Sequence, residues 1–173
     1  STKLGPWWLA VKPGSLPKII APTAVGLCMG IGVVGAAPLT LFVLAFILAL
    51  CAQWSIVLLN DYADLEADAA HQQRFPELID PRVLVEGLLI PGQVLGAGLL
   101  AALGALAAGA ALVVLYERFF ALYLVGIGLV VLWAYSFAPL RINYRGGGEL
   151  LETLGVGVVL PATGYYIAAG TLP

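Results

Sequence analysis

Residues 19–60 read IIAPTAVGLCMGIGVVGAAPLTLFVLAFILALCAQWSIVLLN, 42 residues bounded by Lys18 and Asp61 and carrying no charged side chain. One helix needs roughly 20 residues to cross the hydrocarbon core of a bilayer. The run is about twice that long, and Gly35-Ala36-Ala37-Pro38 near its centre is a turn signal. It therefore reads as two spans, about 17–35 and about 39–60. Beyond it, residues 61–92 hold seven of the ten acids, Asp61, Asp64, Glu66, Asp68, Glu77, Asp80 and Glu86. Residues 87–116 and 119–140 are again uncharged, separated by Glu117-Arg118. Further spans are expected at about 93–115, 119–137 and 150–170, with 61–92 an acidic cytoplasmic loop. All 173 residues then form one all-α, polytopic transmembrane domain.

Composition points the same way. Hydrophobic residues make up 61%, charged residues 10%, and mean hydropathy is +1.00. A soluble domain carries about 25% charged residues, so a disordered chain, a fibrous repeat and an ordinary globular enzyme are excluded. The uncharged runs are too long for barrel strands, and in lipid only helices or closed barrels satisfy the backbone. Net charge is −2, which offers no field for nucleic acid. Cys28 and Cys51 lie inside apolar runs and read as small buried hydrophobes. Glycines such as Gly96, Gly98, Gly126 and Gly128 read as close helix packing. Trp7, Trp8, Trp54 and Trp133 divide between interface anchors and span ends.

Threading five helices puts Lys3, Lys12, Lys18, Arg74, Arg82, Arg141 and Arg145 on one side and Arg118 alone on the other. The positive-inside rule makes the crowded side, with the N-terminus, cytoplasmic in an inner or plasma membrane. The lead-in to the first span is not a cleavable signal, because a second span follows directly.

Asn60-Asp61-Tyr62-Ala63-Asp64-Leu65-Glu66-Ala67-Asp68 sits at the cytoplasmic end of the second span. On a continuous helix, steps of about 100° put Asp61 at 0°, Asp64 at about 300°, Asp68 at about 340° and Asn60 at about 260°. Three carboxylates then share one face, where like charges repel unless a cation sits between them. Oxygen donors suit Mg²⁺ held together with phosphate oxygens. The competing reading is a solvated acidic helix end, in the wrong place for the helix dipole. His71 has no partner of a catalytic type nearby in sequence. Gly146-Gly147-Gly148 reads as a loop turn, no G-x-x-x-x-G-K or two-histidine zinc spacing occurs, and the uncharged spans argue against transport.

This aspartate cluster resembles the first aspartate-rich motif of the UbiA superfamily of intramembrane prenyltransferases. Lys12-Pro13-Gly14-Ser15-Leu16-Pro17 is similar to that family's lead-in segment. Arg82-Val83-Leu84-Val85-Glu86-Gly87 resembles its approach to the third span. Tyr135-Ser136-Phe137-Ala138-Pro139-Leu140 with Tyr144-Arg145-Gly146-Gly147-Gly148-Glu149 resembles the quinone-pathway members that prenylate dihydroxynaphthoate. The resemblance implies an Mg²⁺-dependent transfer of a prenyl group from an allylic diphosphate to an aromatic, quinone or pigment precursor. Asp61, Asp64 and Asp68 would be metal ligands, with Asn60 beside them. Arg141 and Arg145 would meet diphosphate oxygens, or serve only as positive-inside anchors. Family members have nearly twice as many spans and a second aspartate motif in a later loop. No acid follows Glu152 here. The chain therefore resembles the N-terminal portion of that bundle, and residues 1–173 alone are expected to show no prenyl transfer unless Glu149 and Glu152, one helical turn apart, replace the second ligand pair. The alternative is a non-catalytic half-length subunit of a larger membrane assembly containing pigment or quinone.

Overall fold

Helix-breaking residues set the ends of the elements. In the computed structural model, which describes residues 4–75 and 82–172, α1 (Leu4–Ala10) leads through a 3-10 turn at Pro13–Ser15 into α2 (Pro17–Val34). Gly35 closes α2 with φ +83 and donates its N–H to Ile31 O. Pro38, extended at φ −68, starts α3 (Leu39–Ala63), and α4 (Leu65–Arg74) follows after a single residue. Pro91, which needs no N–H partner at a first helical position, opens α5 (Pro91–Tyr116). Glu117 turns the chain at φ 58 into α6 (Phe119–Ser136). A 3-10 turn at Ile142–Arg145 precedes α7 (Gly148–Leu154), which continues through a widened turn at Gly155–Val159 into α8 (Leu160–Ala169).

Five helices among the described residues are long and apolar enough to cross a membrane: Pro17–Val34, Leu39–Ala63, Pro91–Tyr116, Phe119–Ser136 and Gly148–Ala169. They match the expected spans closely, and no strand occurs among the described residues. Two boundaries differ. The stretch expected as loop from 61 is helical to Arg74, and the fifth span starts at Gly148. Glu77 and Asp80 lie outside the described residues.

Prolines inside spans are accommodated locally. Pro161 has no N–H for the carbonyl four residues back, and the wide turn sits there, with Leu160 N–H reaching Gly155 O. Pro22 lies inside α2 and has no N–H for Lys18 O, and the neighbouring Thr23 Oγ1 bonds back to Ile19 O at 2.8 Å.

Two seams dominate the packing, α2 along α8 and α3 along α5. At the first, a Cβ on Gly26 would lie 1.9 Å from Pro161 O, and one on Gly164 would lie 2.1 Å from Thr23 O. Gly26 and Gly30 therefore form a small-x-x-x-small contact at which two backbones touch. The glycines singled out from sequence behave differently. Gly98 packs on Leu59, whereas Gly96, Gly126 and Gly128 face open space. Cys51 packs against Gly104, but Cys28 is exposed on α2, so the expectation that both cysteines are buried fails for Cys28. That residue lies outside the α2–α8 contact, on the side a bilayer would cover.

The contacts alternate in direction as five antiparallel crossings require. Thr40 meets Tyr116 and Leu59 meets Gly98 across α3 and α5, while Gly26 meets Pro161 and Gly30 meets Tyr165 in parallel. The basic residue alone at the far end, Arg118, has a local task. Its Nε donates to Ile167 O at 2.9 Å and its guanidinium also reaches Ala168 O at 3.2 Å. It fills the space a Cβ on Gly170 would need, and so caps the last carbonyls of α8 with positive charge. In return Tyr166 Oη accepts the Phe120 N–H at 3.1 Å. Arg118→Ala should cost about 1–3 kcal/mol, the usual worth of charged hydrogen bonds, read as a lower unfolding temperature in detergent. An unchanged temperature would show that the cap is idle.

Candidate active site

The charged end of the bundle is built on a small apolar platform. Ala10 of α1, Val57 and Leu58 of α3, Val83, Leu84 and Leu89 of the turn after residue 82, and Val94 of α5 are buried together, with Trp7 and Trp54 against them. The platform seats the lead-in turn and the 82–89 turn on either side of the α3 terminus. Between them lies a cleft of about 420 Å³ lined by Trp8, Lys12, Ser15, Asp61, Asp68 and Arg82, with Leu65 and Val83–Val85 as apolar wall.

Each aspartate of the cluster meets a different partner. Asp61 Oδ1 accepts from Lys12 Nζ at 2.5 Å, and its side chain is only 13% exposed. Asp68 is paired with Arg82. Asp64 accepts Asn60 Nδ2 at 2.9 Å on one oxygen and the Tyr144 hydroxyl at 2.8 Å on the other. Asn60 also donates to the buried Ser136 Oγ at 3.1 Å. Asn60 thereby ties α3 to α6, and Asp64 ties it to the 142–145 turn.

Asp64 is also where the helix breaks. Its φ of −95 and ψ of 2 separate α3 from α4, so Asp68 no longer follows the α3 axis. The single-face geometry of a continuous helix is not kept. Among the described residues, no three acidic, histidine or cysteine side chains converge as a metal-binding set. What the structure brings together on the cleft wall is Asp61 and Asp68, with Lys12 and Arg82. Their chemistry fits a hard divalent ion, since Mg²⁺ usually takes one or two carboxylates and completes its shell with phosphate oxygens and water.

The sequence profile of the UbiA prenyltransferase family matches residues 19–173. The chain belongs to the UbiA prenyltransferase family. No curated protein sequence and no solved structure matches it. The five apolar helices of this UbiA chain imply a lipid environment.

The remaining candidates of the UbiA chain are spread over the same end of the bundle. Arg145 donates to Pro139 O at 2.9 Å within its own loop, and Arg141 is exposed at φ 40. Neither lines the cleft. Glu152 pairs with Lys18 at 3.2 Å, both well exposed, and neither it nor Glu149 reaches the cleft. His71 stacks on Phe75 with ring centres 5.2 Å apart. Lys12 and Arg82 were visible in sequence only as parts of motifs; nothing in their spacing assigns them to Asp61 and Asp68.

Tyr144 lies outside the spans. Partial burial, the hydrogen bond to Asp64 and the carboxylate charges of Asp64 and Asp68 push its phenol well above the ordinary value. The folded chain therefore holds the protonated phenol more tightly than the unfolded chain does. That stability is fully present below about pH 10, where a free tyrosine ionises, and is lost as pH rises toward the raised folded value. Tyr144→Phe should increase proteolytic nicking of the 138–147 loop several-fold at pH 7, because a hydrogen bond to a charged acceptor contributes roughly 1–3 kcal/mol, less here at a half-exposed site. Identical cleavage in the two proteins would mean the tie to Asp64 does not hold the loop.

Proposed function

We propose that the chain binds an allylic prenyl diphosphate in the cleft, at the cytoplasmic face of the membrane, and supplies one of the two metal-ligand sets with which its prenyl group passes to an aromatic precursor of a quinone or pigment. The observation that carries this reading is the arrangement of two carboxylates and two cations, Asp61, Asp68, Lys12 and Arg82, around one cleft at a span terminus. A bare acidic site would repel a diphosphate, and a bare basic one would hold the anion without a metal.

Asp61 and Asp68 would hold Mg²⁺ in concert with diphosphate oxygens. When bound, the ion neutralises charge on the leaving group. Lys12 and Arg82 donate charge-assisted N–H bonds to the diphosphate, Arg82 in the fork geometry suited to it. The allylic C–O bond breaks with its electron pair on the diphosphate oxygen. A ring carbon of the acceptor takes the allylic cation and then releases its proton. Trp8, Leu9, Leu65 and Val83 wall the cleft with apolar surface, which limits capture of the cation by water. Arg141 and Arg145 add to the positive field that draws the anion to this end. The quinone-type acceptor rests on the likeness of the Tyr135–Glu149 loop to dihydroxynaphthoate-prenylating members.

The test is calorimetric titration of the purified chain with a non-hydrolysable allylic thiolodiphosphate. Binding with Mg²⁺ that disappears in EDTA is the expected result. Equal affinity in EDTA would remove the metal from the proposal, and no binding in either condition would remove the cleft.

A further inference from the structure

Gln53 sits on α3 about two helical turns before Asn60, and it is only 3% exposed. An amide in the interior of a span has no water to pair with and is costly there without a partner. Its partner is not on a neighbouring span. Gln53 Nε2 donates to Ser15 Oγ at 2.5 Å, in the turn that precedes the first span. The Ser15 hydroxyl donates in turn to Lys12 O at 2.7 Å, and Ser15 N–H reaches the same carbonyl at 2.9 Å.

The residue at the end of this chain of bonds is under backbone strain. Lys12 has φ 44 and ψ 63, the left-handed region that a residue with a Cβ adopts at a cost of about 1–3 kcal/mol, tolerated where the surroundings over-determine it. Two donors from Ser15, one of them anchored by Gln53, fix the Lys12 carbonyl. The strained turn presents the ammonium to Asp61 on the cleft wall. Hydrogen bonds in series polarise one another in a low-dielectric setting, so the interior amide stiffens a turn at the membrane surface.

We infer that Gln53 is a positioning residue: through Ser15 it holds the Lys12 turn so that the ammonium faces a phosphorylated ligand in the cleft. Gln53 does not line the cleft itself. The inference rests on the reading of the cleft as a diphosphate site, and it deepens that reading by tying the site to a polar group inside the bilayer.

The experiment uses the whole chain in nanodiscs, with inorganic diphosphate and Mg²⁺ as the probe. Gln53→Met keeps length and suits the span, while Ser15→Ala breaks the same relay outside it. Each should speed amide exchange at Ser15 and Leu16 by about tenfold and weaken diphosphate binding by about five- to tenfold, as expected for one lost hydrogen bond. In a Lys12→Ala background Gln53→Met should weaken binding no further. Unchanged exchange at 15–16, or the same loss of affinity with and without Lys12, would overturn the inference, because a purely structural Gln53 would act on both backgrounds alike. If exchange rises but Lys12→Ala binds diphosphate as the wild type does, the relay stands and the diphosphate assignment falls.

Discussion

Asp68→Ala should abolish measurable Mg²⁺-dependent binding of an allylic diphosphate, a loss of at least about a hundredfold. Removing a carboxylate from a metal–phosphate site takes away a ligand worth several kcal/mol, and roughly 1.4 kcal/mol is a factor of ten. It also leaves Arg82, now paired with Asp68, without a local anion. A freed arginine would still attract diphosphate, so metal-independent binding should persist weakly in EDTA. That pattern separates loss of the ion from loss of the cleft. Asp61→Ala should behave in the same direction, with Lys12 as the freed cation. Asp64→Ala differs, because its oxygens are held by Asn60 and Tyr144. Its substitution should loosen the 138–147 loop as well as weaken the ion. Measured affinity that is the same for wild type and Asp68→Ala in Mg²⁺ would remove Asp68 from the metal site.

The five spans were legible because lipid imposes a rule that acts on single residues: a charge inside a span is costly, so charges mark its ends. Lys18, Asp61, Glu117 and Arg118 therefore punctuate the chain almost where α2, α3, α5 and α6 stop or start. The aspartate cluster was legible by the same token, as acids at an unfavourable helix end. The break at Asp64 was not, since neither glycine nor proline marks it and the bend lies in the φ and ψ of that one residue. The pairing of Lys12 with Asp61, 49 residues apart, is a tertiary result of the apolar platform under both segments, and composition carries no trace of it. Gly26 and Gly30 show a related failure. Their spacing is readable, but glycines of similar appearance at Gly126 and Gly128 meet nothing within 4 Å; which glycine touches a neighbour depends on helix rotation. Arg118 was counted as the exception to a charge rule, whereas its place is fixed by the carbonyl ends of α8.

Gly26→Ala should destabilise the chain strongly while Gly32→Ala, six residues further along the same helix, should be neutral or stabilising. Alanine is a better helix former than glycine by about 1 kcal/mol, so propensity alone predicts a gain at both positions. The surroundings decide the sign. A Cβ at Gly32 meets nothing within 4 Å, whereas at Gly26 it would lie 1.9 Å from Pro161 O, with Tyr165 N at 2.8 Å. These are backbone atoms, and no rotamer change relieves the clash. The two helices must separate, giving up close contact along a seam that also includes Gly30 and Gly164. Overpacking of this kind typically costs 1–3 kcal/mol, and Gly26→Val should exceed that range because its branches add to the clash. The consequence extends to the site. α2 follows directly on the Lys12 turn, so moving α2 off α8 displaces the lysine relative to Asp61 on α3. Gly26→Ala should therefore lower the unfolding temperature in detergent and weaken diphosphate binding together. Equal temperatures for Gly26→Ala and Gly32→Ala would refute the backbone contact. A lowered temperature with unchanged diphosphate affinity would show that the lead-in turn is held by Gln53 and the platform alone, independently of where α2 lies.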